Sequence, residues 1–171
     1  IATTGAGSVF QATYYKSALQ TLTSGPTDIT FDSTGTWNND GGYITHTGET
    51  SNFTVVQTGL YQLEFNATVI ANGSSWTASL LKQISIDITR SPTPEVVCIA
   101  QNGSMTSGTN YGQSACATFN LEAGDVINCR VNNTFTAPPT PYVQGIGLGP
   151  DLNTWFSWRY ISAAGNASTT T

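Results

Sequence analysis

Leu60-Tyr61-Gln62-Leu63-Glu64-Phe65-Asn66-Ala67-Thr68-Val69 alternates without a break between apolar and polar side chains. Successive side chains of an extended chain point to opposite faces. Tyr61, Leu63, Phe65, Ala67 and Val69 therefore share one face, and Gln62, Glu64, Asn66 and Thr68 share the other. A helix would scatter the apolar set around its axis, whereas a strand with one buried and one wet face accounts for all of it. The stretch predicts a half-buried antiparallel strand, and such a strand needs a second apolar face to pack against.

The same period of two runs outward on both sides. Upstream lie Asp28 to Phe31, Tyr43 to Thr47 and Asn52 to Val56, separated by the turn-rich runs Asp32 to Gly42, Gly48-Glu49 and Gln57-Thr58-Gly59. Downstream, Asn72 to Ser75 turns the chain into Ser79 to Thr89, with Leu81, Ile84, Ile86 and Ile88 as its apolar set. Val96 to Ala100 and Ser114 to Phe119 follow, then a tight turn from Leu121 to Asp125 into Val126 to Val131, and last Trp155 to Ile161. The best candidate for a short helix is Tyr14 to Leu22, with Tyr15, Leu19 and Leu22 at helical spacing, but its Thr content and the Ser24-Gly25-Pro26 stop keep it short or absent. Ala137 to Pro141, with three prolines, predicts a stiff loop outside any sheet. Many short strands without interleaved helices predict an all-β, antiparallel two-sheet sandwich. Its core should hold Tyr61, Leu63, Phe65, Val69, Ile127 and Phe156. Residues 1–8 are expected to be a flexible lead-in, 9–162 one domain, and 163–171 a disordered Thr/Ser-rich tail.

Charge is the unusual feature of the composition. Only 9% of the 171 residues are charged, against about 25% in an average soluble domain. Thr, Ser, Asn, Gln and Gly must cover the surface instead. The net charge is −5, and the five basic residues (Lys16, Lys82, Arg90, Arg130, Arg159) are scattered. No basic stripe exists to neutralise a run of phosphates, which argues against nucleic-acid binding. An anionic bilayer surface is equally unattractive, and no apolar run approaches the roughly 18 residues of a membrane-spanning helix. Few carboxylates also mean little proton-linked unfolding, so the chain is expected to be acid-stable.

No catalytic residue, metal ligand set or cofactor site is nominated. His46, the one histidine, lies in a polar run beside a turn, with no nucleophile elbow or reactive cysteine context. Asp28, Asp32, Asn38 and Asp40 crowd one region but lack the spacing of a calcium loop and are read as turn formers. Trp37 and Trp76 stand in loop-like contexts and are the candidate ligand contacts, as stacking platforms for a glycan. Trp155 and Trp158 are the candidate subunit contacts; they fall on opposite sides of one strand, so one should face the core. If Ala100 sits opposite Ser114 in a hairpin, Cys98 falls opposite Cys116, a candidate cross-strand disulfide that leaves Cys129 as a buried thiol. Six Asn-x-Ser/Thr sequons occur, at Asn52, Asn66, Asn72, Asn102, Asn132 and Asn166. Asn72 and Asn102 fall in expected surface loops and are the favoured glycan acceptors.

Three pieces in order resemble the C1q/TNF-type jelly roll. Tyr43, Thr47-Gly48, Phe53-Thr54-Val55, Gly59-Leu60-Tyr61 and Phe65 form the first; Leu121-Glu122-Ala123-Gly124-Asp125-Val126 forms the second; Phe156-Ser157 forms the third. The resemblance spans roughly Val9 to Ile161. Trp158 departs from it, standing where the family usually has glycine in the last strand. The resemblance implies an eight-stranded jelly roll that assembles about an axis, as a trimer or pentamer, and binds other molecules through its outer surface or loops. The same fold caps the vertex spikes of some icosahedral viruses, and the charge-poor composition looks most like an archaeal virus turret. The expected role is thus a non-enzymatic virion-surface protein, with capsid proteins and a host receptor or glycan as partners. A secreted C1q/TNF-like ligand or lectin is the alternative.

Overall fold

The computed structural model describes residues 9–34, 38–48, 50–71, 80–90, 93–105, 110–134, 141–143 and 154–163; side chains are described for all of these except 33, 71, 80–82, 93–105, 110–111, 133–134 and 141. Thirteen strands and no helix occur among them. They are β1 (Gln11–Tyr15), β2 (Gln20–Thr21), β3 (Gly25–Asp28), β4 (Ser33–Thr34), β5 (Ile44–Thr45), β6 (Asn52–Val55), β7 (Gly59–Ala71), β8 (Leu80–Arg90), β9 (Thr93–Met105), β10 (Asn110–Leu121), β11 (Val126–Thr134), β12 (Pro141–Val143) and β13 (Trp155–Ser162).

The alternating stretch becomes β7, the centre of a seven-stranded sheet. β10 pairs along one side of it, from Leu121 opposite Gly59 to Asn110 opposite Ile70. The other side is shared end to end by β13 and β12. β1 and β4 continue the sheet beyond β13, and β2 lies beyond β12. A six-stranded sheet faces it, centred on β11. β8 and then β9 extend from one side of β11, while β3 and β6 share the other, with β5 outside β6. All ladders are antiparallel. Strands β1, β7, β10 and β13 of one sheet face β6, β8, β9 and β11 of the other, and the chain changes sheet at most of its connections. This is an antiparallel two-sheet jelly roll.

Packing of the two apolar faces follows from the period of two. Tyr61, Leu63, Phe65, Ala67 and Val69 are at most 1% exposed. Ile84, Ile86, Ile88, Ile127, Cys129 and Val131 are buried from the opposite sheet. Phe53, Phe156, Phe31 and Tyr14 knit the layers, with Phe53–Phe156 centroids 4.6 Å apart and Phe53–Tyr14 centroids 4.9 Å apart. Each such ring replaced by alanine would cost about 3–5 kcal/mol through lost burial and the cavity left behind.

Several expectations are corrected. Tyr14 to Leu22 is not helical: the strand β1 takes Tyr14 and Tyr15, and β2 takes Gln20 and Thr21, because backbone pairing outweighs a weak apolar spacing. Pro141 opens strand β12 instead of lying in a loop, which proline tolerates at a first strand position. The hairpin that would set Cys98 opposite Cys116 is absent. β9 pairs β8, with Cys98 opposite Ile86, whereas β10 pairs β7, with Cys116 opposite Glu64. Trp158 is 1% exposed and packs on Tyr61, so it belongs to the core and not to a subunit contact.

The turn between β10 and β11 is braced by charge. Gly124 takes φ +96°, which favours glycine. Arg90 Nε and Nη2 clamp Asp125 at 2.9 and 2.6 Å, and the Glu122 N–H donates to Asp125 at 2.8 Å. Burial alone would push the Asp125 carboxyl up; the bonds from Arg90 and Glu122 outweigh it and hold it below the usual carboxylate range. A depressed folded value stabilises the fold above the ordinary value of 3.8, and that contribution is lost as pH falls through the folded one. Arg90→Ala should therefore lower stability at neutral pH by about 2 kcal/mol and shrink the acid-induced drop in melting temperature. Thermal melts at a series of pH values check this; an unchanged acid limb would assign the drop to other carboxylates.

Gly59 opens β7 where the chain passes tightly under β13. A Cβ there would lie 2.7 Å from the Ser162 carbonyl oxygen and would strike the Tyr160 ring. Gly59→Ala is expected to destabilise the domain by about 2 kcal/mol through overpacking, read from the denaturation midpoint at unchanged m-value.

Candidate functional site: the outer face of the seven-stranded sheet

The pleat that buries one face of β7 turns the other outward. Pairing aligns this outer face in rows across four strands: Thr118–Gln62–Arg159–Gln11, Cys116–Glu64–Ser157–Thr13 and Ser114–Asn66–Trp155–Tyr15. Leu60 and Ile161 border it, and Ile161 is 48% exposed. A depression of about 200 Å³ lies at its centre, lined by Gln11, Thr13, Gln62, Glu64, Ser157 and Arg159.

Glu64 and Arg159 are the only charged residues in these rows. Neither has a hydrogen-bond or ion-pair partner among the described residues. The outer face of the other sheet differs: there Arg130 bonds Asp28 at 2.7 Å and Asp87 at 2.5 Å, tying β3, β11 and β8 together. One face is internally paired, and the other holds two opposite charges that have no partner among the described residues.

The remaining candidates are dispersed. Trp155 is half-buried on the outer face beside Asn66, while Trp158 on the same strand points into the core. Trp37, Trp76 and Asn72 lie outside the described residues, as do the side chains of Cys98 and Asn102. The Asx group serves separate structural ends. Asp28 pairs with Arg130, Asp32 accepts the Ser17 N–H at 2.6 Å and the Ser17 hydroxyl, Asn38 bonds the Thr13 backbone, and Asp40 accepts from the Gly42 N–H. His46 stacks on Phe53 at 4.1 Å between two carbonyl oxygens, of Phe31 at 2.9 Å and Asn52 at 3.0 Å. No carboxylate orients its ring among the described residues, so its position is that of a brace between loops. The outer-face rows were hidden from the linear sequence because Gln11 and Arg159 meet only through the β1–β13 ladder.

No family model matches this sequence, and no curated protein matches it. Solved structures do. A crystal structure of murine APRIL at pH 5.0 superposes with a TM-score of 0.63 at 14% identity, over 90% of this chain and all of that one. Murine APRIL at pH 8.0 gives 0.62 at 13% identity, over the same shares of each chain. Eiger TNF from S. frugiperda gives 0.57 at 15% identity, over 95% of this chain and 99% of that one. The fold is a TNF-like jelly roll. At such low identity the shared property is the path of the backbone.

Cys129 is fully buried, and burial pushes its thiol far above its ordinary range, helped by the negative charges of Asp87 and Asp28. It should resist alkylation in the native state and label only on unfolding, as mass spectrometry of maleimide-treated protein with and without denaturant will show.

Proposed function

We propose that this chain is a non-enzymatic recognition module, secreted or displayed outside the cell. It assembles with copies of itself about a rotational axis through the outer face of the seven-stranded sheet and meets a receptor or glycan with its loops. The observation that carries this reading is the pair Glu64 and Arg159, the only charges in the aligned outer-face rows and without a partner among the described residues, on a face that also bears Trp155. Closed homo-oligomers repeat one contact around an axis, and a glutamate and an arginine on the same face can each meet the opposite charge of a neighbouring copy. The TNF-like backbone supports assembly about an axis, since the C1q/TNF-type family that the sequence resembles oligomerises about one.

A second reading, a spike or turret on a virion with capsid proteins as further partners, is supported by the charge-poor, Thr/Ser/Asn-rich surface. The coding sequence upstream of Ile1 separates the two: a secretion leader and stalk favour the ligand, and a capsid-anchoring region favours the spike.

Charge reversal tests the assembly. Light scattering coupled to size exclusion at micromolar concentration should find the full-length protein oligomeric, Glu64→Arg and Arg159→Glu each shifted toward monomer, and the double reversal restored. A monomeric parent, or single variants that assemble as well as the parent, would defeat the proposal.

A further inference from the structure

We infer that Asn52 carries an N-linked glycan, a proposal that rests on the extracellular reading above. Three sequons fall on asparagines whose side chains are described: Asn52-Phe53-Thr54, Asn66-Ala67-Thr68 and Asn132-Asn133-Thr134. Glycan transfer needs the asparagine Nδ2. That nitrogen attacks the anomeric carbon of a lipid-diphosphate-linked oligosaccharide. The C–N bond forms as the C–O bond to the diphosphate breaks, and the amide proton passes to a base of the transferase.

The local hydrogen bonds decide which way the Asn52 amide faces. Asn128 Nδ2 donates to the Ser51 carbonyl oxygen at 3.0 Å and to Asn52 Oδ1 at 2.7 Å. A carbonyl can only accept, so Asn128 must present its NH2 here, and Asn52 must answer with its oxygen. The Ser51 hydroxyl donates to the same oxygen at 3.3 Å. Asn52 Nδ2 is thereby turned away, with no partner among the described residues. β6 alternates so that Phe53 and Val55 are buried while Asn52 and Thr54 are exposed, which leaves both recognition side chains of the sequon open to solvent.

The other two sequons are less suited. Asn66 is half-buried, accepts a hydrogen bond from the Ser114 hydroxyl at 2.9 Å, and stands in the row with Trp155 on the proposed assembly face. Its Thr68 is 2% exposed. Asn132 spends its Nδ2 on Gln83 Oε1 at 3.4 Å. Asn52 lies on the six-stranded sheet, so a sugar there coats one side of the sandwich and leaves the other free to meet its copies.

The test is the whole chain secreted behind a cleavable leader from a glycosylating eukaryotic host. Peptide-N-glycosidase treatment in heavy-oxygen water, followed by peptide mass spectrometry, should find Asn52 converted to labelled aspartate. Thr54→Ala should abolish the modification and Thr54→Ser should keep it, and because Thr54 is exposed neither change threatens folding. A bare Asn52 in the secreted parent protein, whichever other sequons carry sugar, overturns the inference. The supplied leader makes that outcome independent of where the chain naturally works, which the coding sequence upstream of Ile1 addresses separately.

Discussion

Everything in this domain hangs on β7 being paired along both edges while only one of its faces is dry. Its partners are β10 on one side and β13 with β12 on the other. With both ladders filled, the strand cannot slip. A shift by one residue would drive Gln62, Glu64 and Asn66 into the core and expose Tyr61, Leu63 and Phe65. Burial of that apolar set against Ile84, Ile86, Ile127 and Val131 is the main driving force for closing the sandwich. The same register displays Glu64 and Gln62 beside Ser157 and Arg159. Core and candidate site are two faces of one strand.

Scarce charge is placed where it fixes geometry. Arg90 with Asp125 braces the turn between β10 and β11, and Arg130 between Asp28 and Asp87 joins three strands of the second sheet. Such pairs are bonded at several atoms and half sheltered from water, so they hold specific positions better than exposed pairs do. Glu64 and Arg159 stand outside both clusters, which is why the sheet face that carries them is the one read as an assembly surface.

Much of the fold was legible. Tyr61, Leu63, Phe65, Val69, Ile127 and Phe156 were assigned to the core from alternation, and all are buried. The opposite orientations of Trp155 and Trp158 follow from their odd separation, though the sequence did not say which ring faces inward. Other features were not legible. β1 and β12 are short and lack strong alternation, and they exist because β13 and β7 offer open edges to pair with. The Cys98–Cys116 register failed because two strands adjacent in sequence were assumed to pair, whereas here they part into different sheets. The open Asn52 amide depends on Asn128, which no local pattern connects to it.

The sequence by itself determined which side of each long strand is apolar, that the chain is all-β, and that its surface is covered by uncharged polar groups. Those properties are local: alternation is written in neighbouring residues, and composition needs no arrangement at all. Only the tertiary structure decided which strands share a sheet, that Trp158 lies inside, and that Gln11, Gln62, Arg159 and Thr118 form one row. An unpaired strand edge accepts any partner whose apolar face matches. The choice is therefore made by closing the whole core at once, not by the residues of any one strand.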